Sequence, residues 1–294
     1  MPPRKWQIGD LLRVSADYLR KKGIENPRLN AEVLLAHQLR LERIRLYLNF
    51  DRPLNNREVS GFRSLIRRRI ESEPLQYITG TQEFWSLGFS VDPSVLIPRP
   101  ETEIAVEQVV KLAKGTEREG TNYLKILDLG TGCGAISVAL ATELPEAVIW
   151  ATDISEAALS VARRNAVTHQ VLERIRFLEG DLWEPLSNED VPFDMVVSNP
   201  PYVTSGEFHA LAPEVRDHEP RLALDGGQDG MYYLKKIVRG AHDYIRSGGW
   251  LILEMAPVHT EKILKMMEKM GHYQKMARIR DYSRSYRVVI AQTL

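Results

Sequence analysis

Tyr123-Leu-Lys-Ile-Leu-Asp-Leu-Gly-Thr-Gly-Cys-Gly134, running on into Ala135 to Thr142, decides the fold of this chain. The apolar-rich stretch up to Leu129 predicts a buried strand. Gly130-Thr-Gly-Cys-Gly134 predicts a tight loop of close backbone approach, and the residues after it a helix with free N–H groups at its start. Strand, glycine loop and helix in that order build a site for a nucleotide-type ligand in an open α/β sheet. The loop spacing is G-x-G-x-G and not the dinucleotide G-x-G-x-x-G, which argues against a dehydrogenase. Working outward, Val148-Ile-Trp-Ala-Thr-Asp153 predicts the next strand, ending in an acid placed to grip ribose hydroxyls. Arg174 to Gly180 predicts a third, followed by Asp181-Leu182, where an acid would take an exocyclic adenine amine. Asp128 would sit beside the glycine loop, where a carboxylate suits a cationic or amino-bearing ligand. Any one of these acids alone is equally a helix cap. Three of them at successive strand ends are harder to read as a solvated face.

Phe193-Asp-Met-Val-Val-Ser-Asn-Pro-Pro-Tyr202 predicts a fourth strand, and Asn199 to Tyr202 then fall just beyond its carboxyl end, where such sheets bind ligands. Two successive prolines hold the backbone extended and rigid. They would aim the Asn199 side chain and the carbonyls of Ser198 to Pro200 at one point, with Tyr202 as a flat wall. An Asn oxygen and a backbone carbonyl together accept both hydrogens of a planar –NH2 group, making a poor nucleophile richer in electrons and orienting it. The plainer alternative is a strand followed by a proline turn. Gly249 to Glu254 predicts a fifth strand. From Tyr123 onward strands and helices alternate, which argues for a mostly parallel sheet covered on both faces.

Ahead of this region the periodicity is helical. Ile8, Leu11, Leu12, Ser15 and Leu19 recur until Gly23; Leu29, Val33, Leu34 and Leu41, then Val59, Phe62, Leu65, Ile66 and Ile70, repeat the pattern. Residues 1–73 therefore predict a small helical bundle, residues 74–98 a hairpin linker around Phe84, Leu87, Phe89 and Val91, and residues 99–294 the catalytic domain. Ile104 to Leu112 predicts a helix and Gly115 to Asn122 a polar loop.

Composition fits a soluble cytoplasmic enzyme. The chain has 294 residues, is 44% hydrophobic and carries one cysteine, which excludes an internal disulfide. No apolar run approaches the roughly 18 residues of a membrane helix, and Met1 to Lys5 lead into no secretory h-region. The His residues show no metal-ligand spacing. Cys133 predicts a small packed hydrophobe with no base beside it. Net charge is zero, but residues 1–85 hold 16 Lys+Arg against 10 Asp+Glu, and the remainder 23 against 29. The zero total argues against a dedicated nucleic-acid binder, while the basic N-terminal part, densest at Arg63, Arg67, Arg68 and Arg69, suits either an acidic partner or a solvated face, and the lack of a long apolar run argues against a membrane.

The ordered set of glycine loop, strand-end acids and Asn-Pro-Pro-Tyr resembles the class I S-adenosylmethionine-dependent methyltransferases. Their fold is a Rossmann-like doubly wound sheet. Pro74-Leu-Gln-Tyr-Ile-Thr-Gly80, Glu83-Phe-Trp85, Leu96-Ile-Pro-Arg-Pro-Glu-Thr-Glu103 and Leu222-Ala-Leu-Asp-Gly-Gly-Gln-Asp-Gly230 extend the resemblance to the HemK/PrmC family, the protein-(glutamine-N5) methyltransferases acting on peptide-chain release factors. The resemblance covers almost the whole chain. It implies contact with S-adenosylmethionine from Gly130, Thr131, Gly132, Cys133, Gly134, Asp153, Asp181, Leu182 and Asn199. It also implies that Asn199, Pro200, Pro201 and Tyr202 hold the target glutamine amide, that class-1 release factors are the partners, and that Tyr286 to Ala291 pairs as an antiparallel strand. Glu254-Met-Ala-Pro257 and Asp281 to Arg287 depart from the family's usual pattern. Asn-Pro-Pro-Tyr is shared with adenine N6-methyltransferases of nucleic acid, the alternative enzyme. The rival from another class is a non-enzymatic, release-factor-like ribosome binder, suggested by Gly226-Gly227-Gln228. Asp225 and Asp229 flank that tripeptide and predict a helix-entry turn instead, with Asp229 as N-cap of a helix over Met231 to Ile245.

Overall fold

The computed structural model describes residues 6–115 and 123–294. Met1 to Lys5, and the polar loop from residue 116 to Asn122, lie outside the described residues. The chain divides into two compact units, Met1–Gly80 with Pro213–His218, and Thr81–Ala212 with Glu219–Leu294.

The first unit is helical. β1 (Trp6–Gln7) leads into α1 (Ile8–Lys21), followed by α2 (Pro27–Leu39), α3 (Arg43–Tyr47), β2 (Pro53–Leu54), α4 (Asn56–Ile70) and α5 (Leu75–Thr79). Each main helix buries the stripe that its spacing dictates: Ile8, Leu12 and Leu19 from α1, Leu34 and Leu35 from α2, Phe62 and Ile66 from α4. Asn55 and Glu58 form a reciprocal capping box that starts α4. The basic cluster of α4 is partly internal. Arg69 is buried, donating to Asn30 Oδ1 at 2.8 Å, to the Glu73 carbonyl at 3.0 Å and to Glu214 Oε2 at 2.6 Å. Arg68 pairs with Glu73.

The second unit opens on the hairpin β3 (Thr81–Phe84) and β4 (Leu87–Ser90), then α6 (Glu103–Ala113), β5 (Leu124–Leu129), α7 (Ala135–Glu143), β6 (Ala147–Asp153), α8 (Glu156–Thr168), β7 (Ile175–Glu179) and β8 (Phe193–Ser198). The short α9 (Pro213–Arg216) belongs to the first unit. The second resumes with α10 (Tyr232–Tyr244), β9 (Ile245–Glu254), α11 (Pro257–Met270), β10 (Tyr273–Arg280) and β11 (Tyr286–Thr293). The sheet order is β10-β11-β9-β8-β5-β6-β7, parallel from β9 to β7 and antiparallel where β11 meets β9 and β10. This is the doubly wound, Rossmann-like fold, with the antiparallel final strand that the resemblance implied.

Strand alternation sends Leu127 and Leu129 to the face covered by α10 and α11, where Leu234, Ile237, Val238, Ile263 and Met267 pack on them and on Val196, Leu251 and Leu253. Asp128 points to the opposite face and meets α7. Both faces are therefore covered, as near-continuous apolar strands require. β9 begins four residues earlier than the run from Gly249 suggests, and β10 has no counterpart in the sequence reading. No helix among the described residues is long and apolar enough to cross a membrane.

Trp150 anchors the core edge-on to Phe193, with centroids 5.4 Å apart, and its indole N–H reaches Asp190 Oδ1 at 2.9 Å. Trp150→Ala should lower the unfolding free energy by about 3–5 kcal/mol, a shift readable in urea titration by far-UV circular dichroism.

Candidate functional site

Parallel pairing brings the carboxyl ends of β5, β6, β7 and β8 to one edge, and a cleft with about 850 Å3 of open space lies there. Leu129, Gly130, Gly132, Asp153, Asp181, Leu182, Asn199, Pro200 and Pro201 line it, so most of the residues singled out from the sequence converge. Thr131, Cys133, Gly134 and Tyr202 stand outside the lining.

The glycine loop is held from three sides. Gly130 and Thr131 both donate their N–H to the Thr152 carbonyl at 2.9 Å. Gly132 donates to Asp153 Oδ2 at 2.8 Å. Asn165, fully buried on α8, donates to the Cys133 carbonyl at 2.8 Å and exchanges hydrogen bonds with the backbone of Ser90. Gly134 has φ +81°, and a Cβ there would come within 3.1 Å of Ala162. Both conditions call for glycine.

Asp128 corrects one expectation. It does not face a ligand. Its carboxylate is fully buried beneath the loop, accepting from Thr131 Oγ1 at 2.7 Å and Ser137 Oγ at 2.6 Å. Burial pushes its pKa up to about 6 against the pull of those hydroxyls. Its Oδ1 has no hydrogen-bond partner among the described residues. Burial likewise pushes the Cys133 thiol up to about 12, so it packs as a neutral side chain.

Asp153 is the acid that reaches the cleft. Oδ1 accepts from Ser155 N at 3.0 Å and Oδ2 from Gly132 N, and the carboxylate keeps acceptor capacity toward the cleft. Burial raises its pKa, and backbone N–H groups counter the shift. Asp181 is paired with Lys236 at 2.7 Å. Leu182 lines the cleft from φ +53°, a conformation uncommon outside glycine.

At the end of β8, Ser198 Oγ donates to the Leu129 carbonyl at 2.7 Å and ties the two strand ends together. Asn199 Nδ2 donates to Thr102 Oγ1 at 3.0 Å, which leaves Oδ1 as the acceptor available at the cleft wall. Tyr202 is not the wall of the cleft. Its hydroxyl is pushed up to about 12, first by burial and then by Glu254. Behind it lies the Gly226-Gly227-Gln228 turn: Gly226 donates to the Val203 carbonyl at 2.8 Å, and a Cβ on Gly226 would strike Tyr202 Cα at 2.7 Å. The tripeptide therefore buttresses Asn-Pro-Pro-Tyr. Asp229 does not cap α10 in the expected way. It accepts from Met231 N at 3.1 Å in a turn ahead of the helix.

Thr102 and Tyr233 were not singled out from the sequence. Thr102 lay within the quoted Ile-Pro-Arg-Pro-Glu-Thr-Glu run, but its bond to a residue 97 positions away leaves no local signal. Tyr233 lines the cleft from the first turn of α10. The site suits S-adenosylmethionine: Leu129, Ile154, Leu182 and Tyr233 offer apolar walls for a flat heterocycle, and Asp153 keeps lone pairs for a diol. Among the described residues no three His, Cys, Asp or Glu side chains gather as a metal site.

Comparison with known proteins agrees with this geometry. The PrmC N-terminal domain model matches residues 10–80, and the methyltransferase small domain model matches residues 117–227. The chain is 45% identical over 269 residues to the release factor glutamine methyltransferase of Geobacter sulfurreducens, covering 92% of this chain and 91% of the relative. It is 40% identical over 288 residues to that of Chlorobaculum tepidum, covering 97% of each. Among solved structures, the hMettl16 catalytic domain in complex with the MAT2A 3'UTR hairpin 6 is similar in fold, with TM-score 0.57 and 16% identity over 78% of this chain and 81% of that one.

Asp153→Ala removes both the diol acceptor and the anchor of Gly132. It should weaken S-adenosylmethionine binding by about 1–3 kcal/mol, measured by calorimetry on protein whose circular dichroism is unchanged.

Proposed function

The chain belongs to the release factor glutamine methyltransferases, and on that premise we propose that it transfers a methyl group from S-adenosylmethionine to the side-chain amide nitrogen of the glutamine in the Gly-Gly-Gln loop of class-1 peptide-chain release factors. The observation that carries the chemistry is the Asn199–Thr102 hydrogen bond, because it fixes the Asn199 amide by one of its N–H groups and leaves Oδ1 for a substrate donor. When bound, the cofactor supplies a methyl group already activated on a sulfonium.

The protein's part is then to position and polarise. Asn199 Oδ1 and the Pro200 carbonyl accept the two hydrogens of the glutamine –NH2. Electron density is drawn onto nitrogen and its lone pair is aimed along the cleft. Pro200 and Pro201 keep that pair of acceptors from relaxing. No side chain has to remove a proton before transfer, since nitrogen becomes acidic only once it is cationic. The Gly130 to Gly134 loop, Asp153 and Asp181-Leu182 hold the cofactor, and Tyr202 fixes the acceptor segment from behind. The helical unit, with its excess of basic residues, docks the release factor. A translation factor as substrate fits work in the cytoplasm.

Asn199→Ala should lower kcat by about 100-fold or more, while S-adenosylmethionine affinity stays within a few-fold. Mass spectrometry of a release factor treated with the wild-type protein should find one added methyl on the Gly-Gly-Gln glutamine. Label found in nucleic-acid adenine and never in the release factor would overturn the assignment.

A further inference from the structure

Glu254 is a fully buried acid that the mechanism above does not use. It closes β9, whose Leu253 pairs with Ser198, so it sits one residue past that pair, beside Asn199 at the end of the neighbouring strand. Neither of its carboxylate oxygens has a hydrogen-bond donor in place among the described residues. A bare buried carboxyl is expensive, and a helix-capping or solvated role is closed to it. The groups that face it are the Thr102 hydroxyl and Glu101 from the turn Pro100–Thr102, Arg287 from β11, and the Tyr202 hydroxyl past β8. Arg287 is already paired with Asp281 at 3.4 Å.

Thr102 is also buried and accepts from Asn199 Nδ2, and its own O–H lies against the Glu254 carboxyl. A hydroxyl is an ambivalent partner. It holds an amide in place whichever way the amide is turned, by accepting from the NH2 group or by donating to the oxygen. Thr102 alone therefore cannot decide which end of Asn199 faces the cleft. An acceptor-only group behind Thr102 does decide it, because it claims the hydroxyl proton and leaves Thr102 only a lone pair to offer.

We infer that Thr102 and Glu254 are positioning residues that set the polarity of Asn199: the Thr102 hydroxyl turns to donate a hydrogen bond to ionised Glu254, Thr102 accepts from Asn199 Nδ2, and Asn199 Oδ1 is thereby turned to the substrate amide. The inference rests on the proposed role of Asn199. A protonated Glu254 is able to donate instead, which lets Thr102 donate to Asn199 Oδ1 and turns a second NH2 group toward the substrate's own. Burial pushes the Glu254 carboxyl up to about 7, against the pull of Thr102, Arg287 and Tyr202. The switch from the wrong polarity to the right one therefore falls near neutrality.

The test uses the full-length protein, a purified release factor and single-turnover kinetics across pH 6–8, with S-adenosylmethionine affinity measured in parallel. Thr102→Val, which keeps the shape and removes the hydroxyl, should lower the transfer rate by about tenfold or more with cofactor affinity unchanged. Thr102→Ser should restore most of it. The wild-type rate should rise through about pH 7, and Glu254→Gln, isosteric but ambivalent, should be slower at pH 8 and lose that rise. Thermal melts supply an independent readout. A carboxyl whose folded pKa lies above its unfolded value destabilises the protein once pH exceeds the unfolded value, and fully so above the folded one. Glu254→Gln should therefore melt higher than wild type at pH 8, with the gap closing toward pH 4.5.

Full activity in Thr102→Val beside an inactive Asn199→Ala would overturn the positioning pair and leave the Asn199 role standing. Equal loss in Thr102→Ser and Thr102→Val would mean that Thr102 only packs, and an unchanged pH limb in Glu254→Gln would remove Glu254 from the relay. Activity retained in Asn199→Ala itself would end both ideas.

Discussion

In-register parallel pairing around β5 is the constraint on which everything else depends. Leu129 stands beside Thr152 on one side and Ser198 on the other, Asp153 beside Glu179, and Ser198 beside Leu253. Parallel strands release all their following loops at one end, so the glycine loop, Asp153, Leu182 and Asn199 meet although they span some 70 residues of chain. A slip of one residue would exchange the two faces of a strand. Burial of Leu127, Trp150, Val196 and Leu251 under α10 prevents that slip. The site thus inherits its accuracy from hydrophobic packing a turn or two below it.

The parts of this arrangement that rest on local pattern were legible. Buried parallel strands read as continuous apolar runs, and α1, α2 and α4 read as helical stripes. β10 was not legible, because Tyr273–Arg280 is an edge strand rich in polar residues with little alternation. The start of β9 was hidden by Gly248 and Gly249. Asp128 and Asp153 looked alike in sequence and differ in depth. Asp128 pairs with Ala151, so Asp153 lies on the same face of the sheet two residues further along. That offset separates an acid under the loop from an acid beyond it. The Asn199–Thr102 and Glu254–Thr102 relationships join distant segments, and nothing in either segment alone announces them.

Around the cleft the protein keeps acids in poorly solvated positions, Asp128 and Glu254 fully buried and Asp153 half-buried. Asp128, Asp153 and Glu254 all have raised pKa values with burial as the leading cause. For each, the unfolded chain gives up its proton at lower pH than the folded chain, so stability declines as pH climbs above the ordinary carboxylate range, toward about 6 for Asp128 and about 7 for Glu254. A sheet edge tuned only for stability would carry apolar side chains at these positions. Their presence fits the general trade between stability and a pre-organised site.

β11 has a consequence of a different kind. It is the latest strand in the chain order, yet it lies between β9 and β10 and not at the rim. During synthesis, β9 and β10 are both made before the strand that joins them, and each meanwhile presents an unpaired row of backbone groups. The nascent chain must hold these edges apart over the whole passage from Ile245 to Tyr286. The sheet therefore closes only once β11 has emerged, after both of the strands it joins. Slow passage of the ribosome through this stretch prolongs the interval in which edge-to-edge association competes with folding.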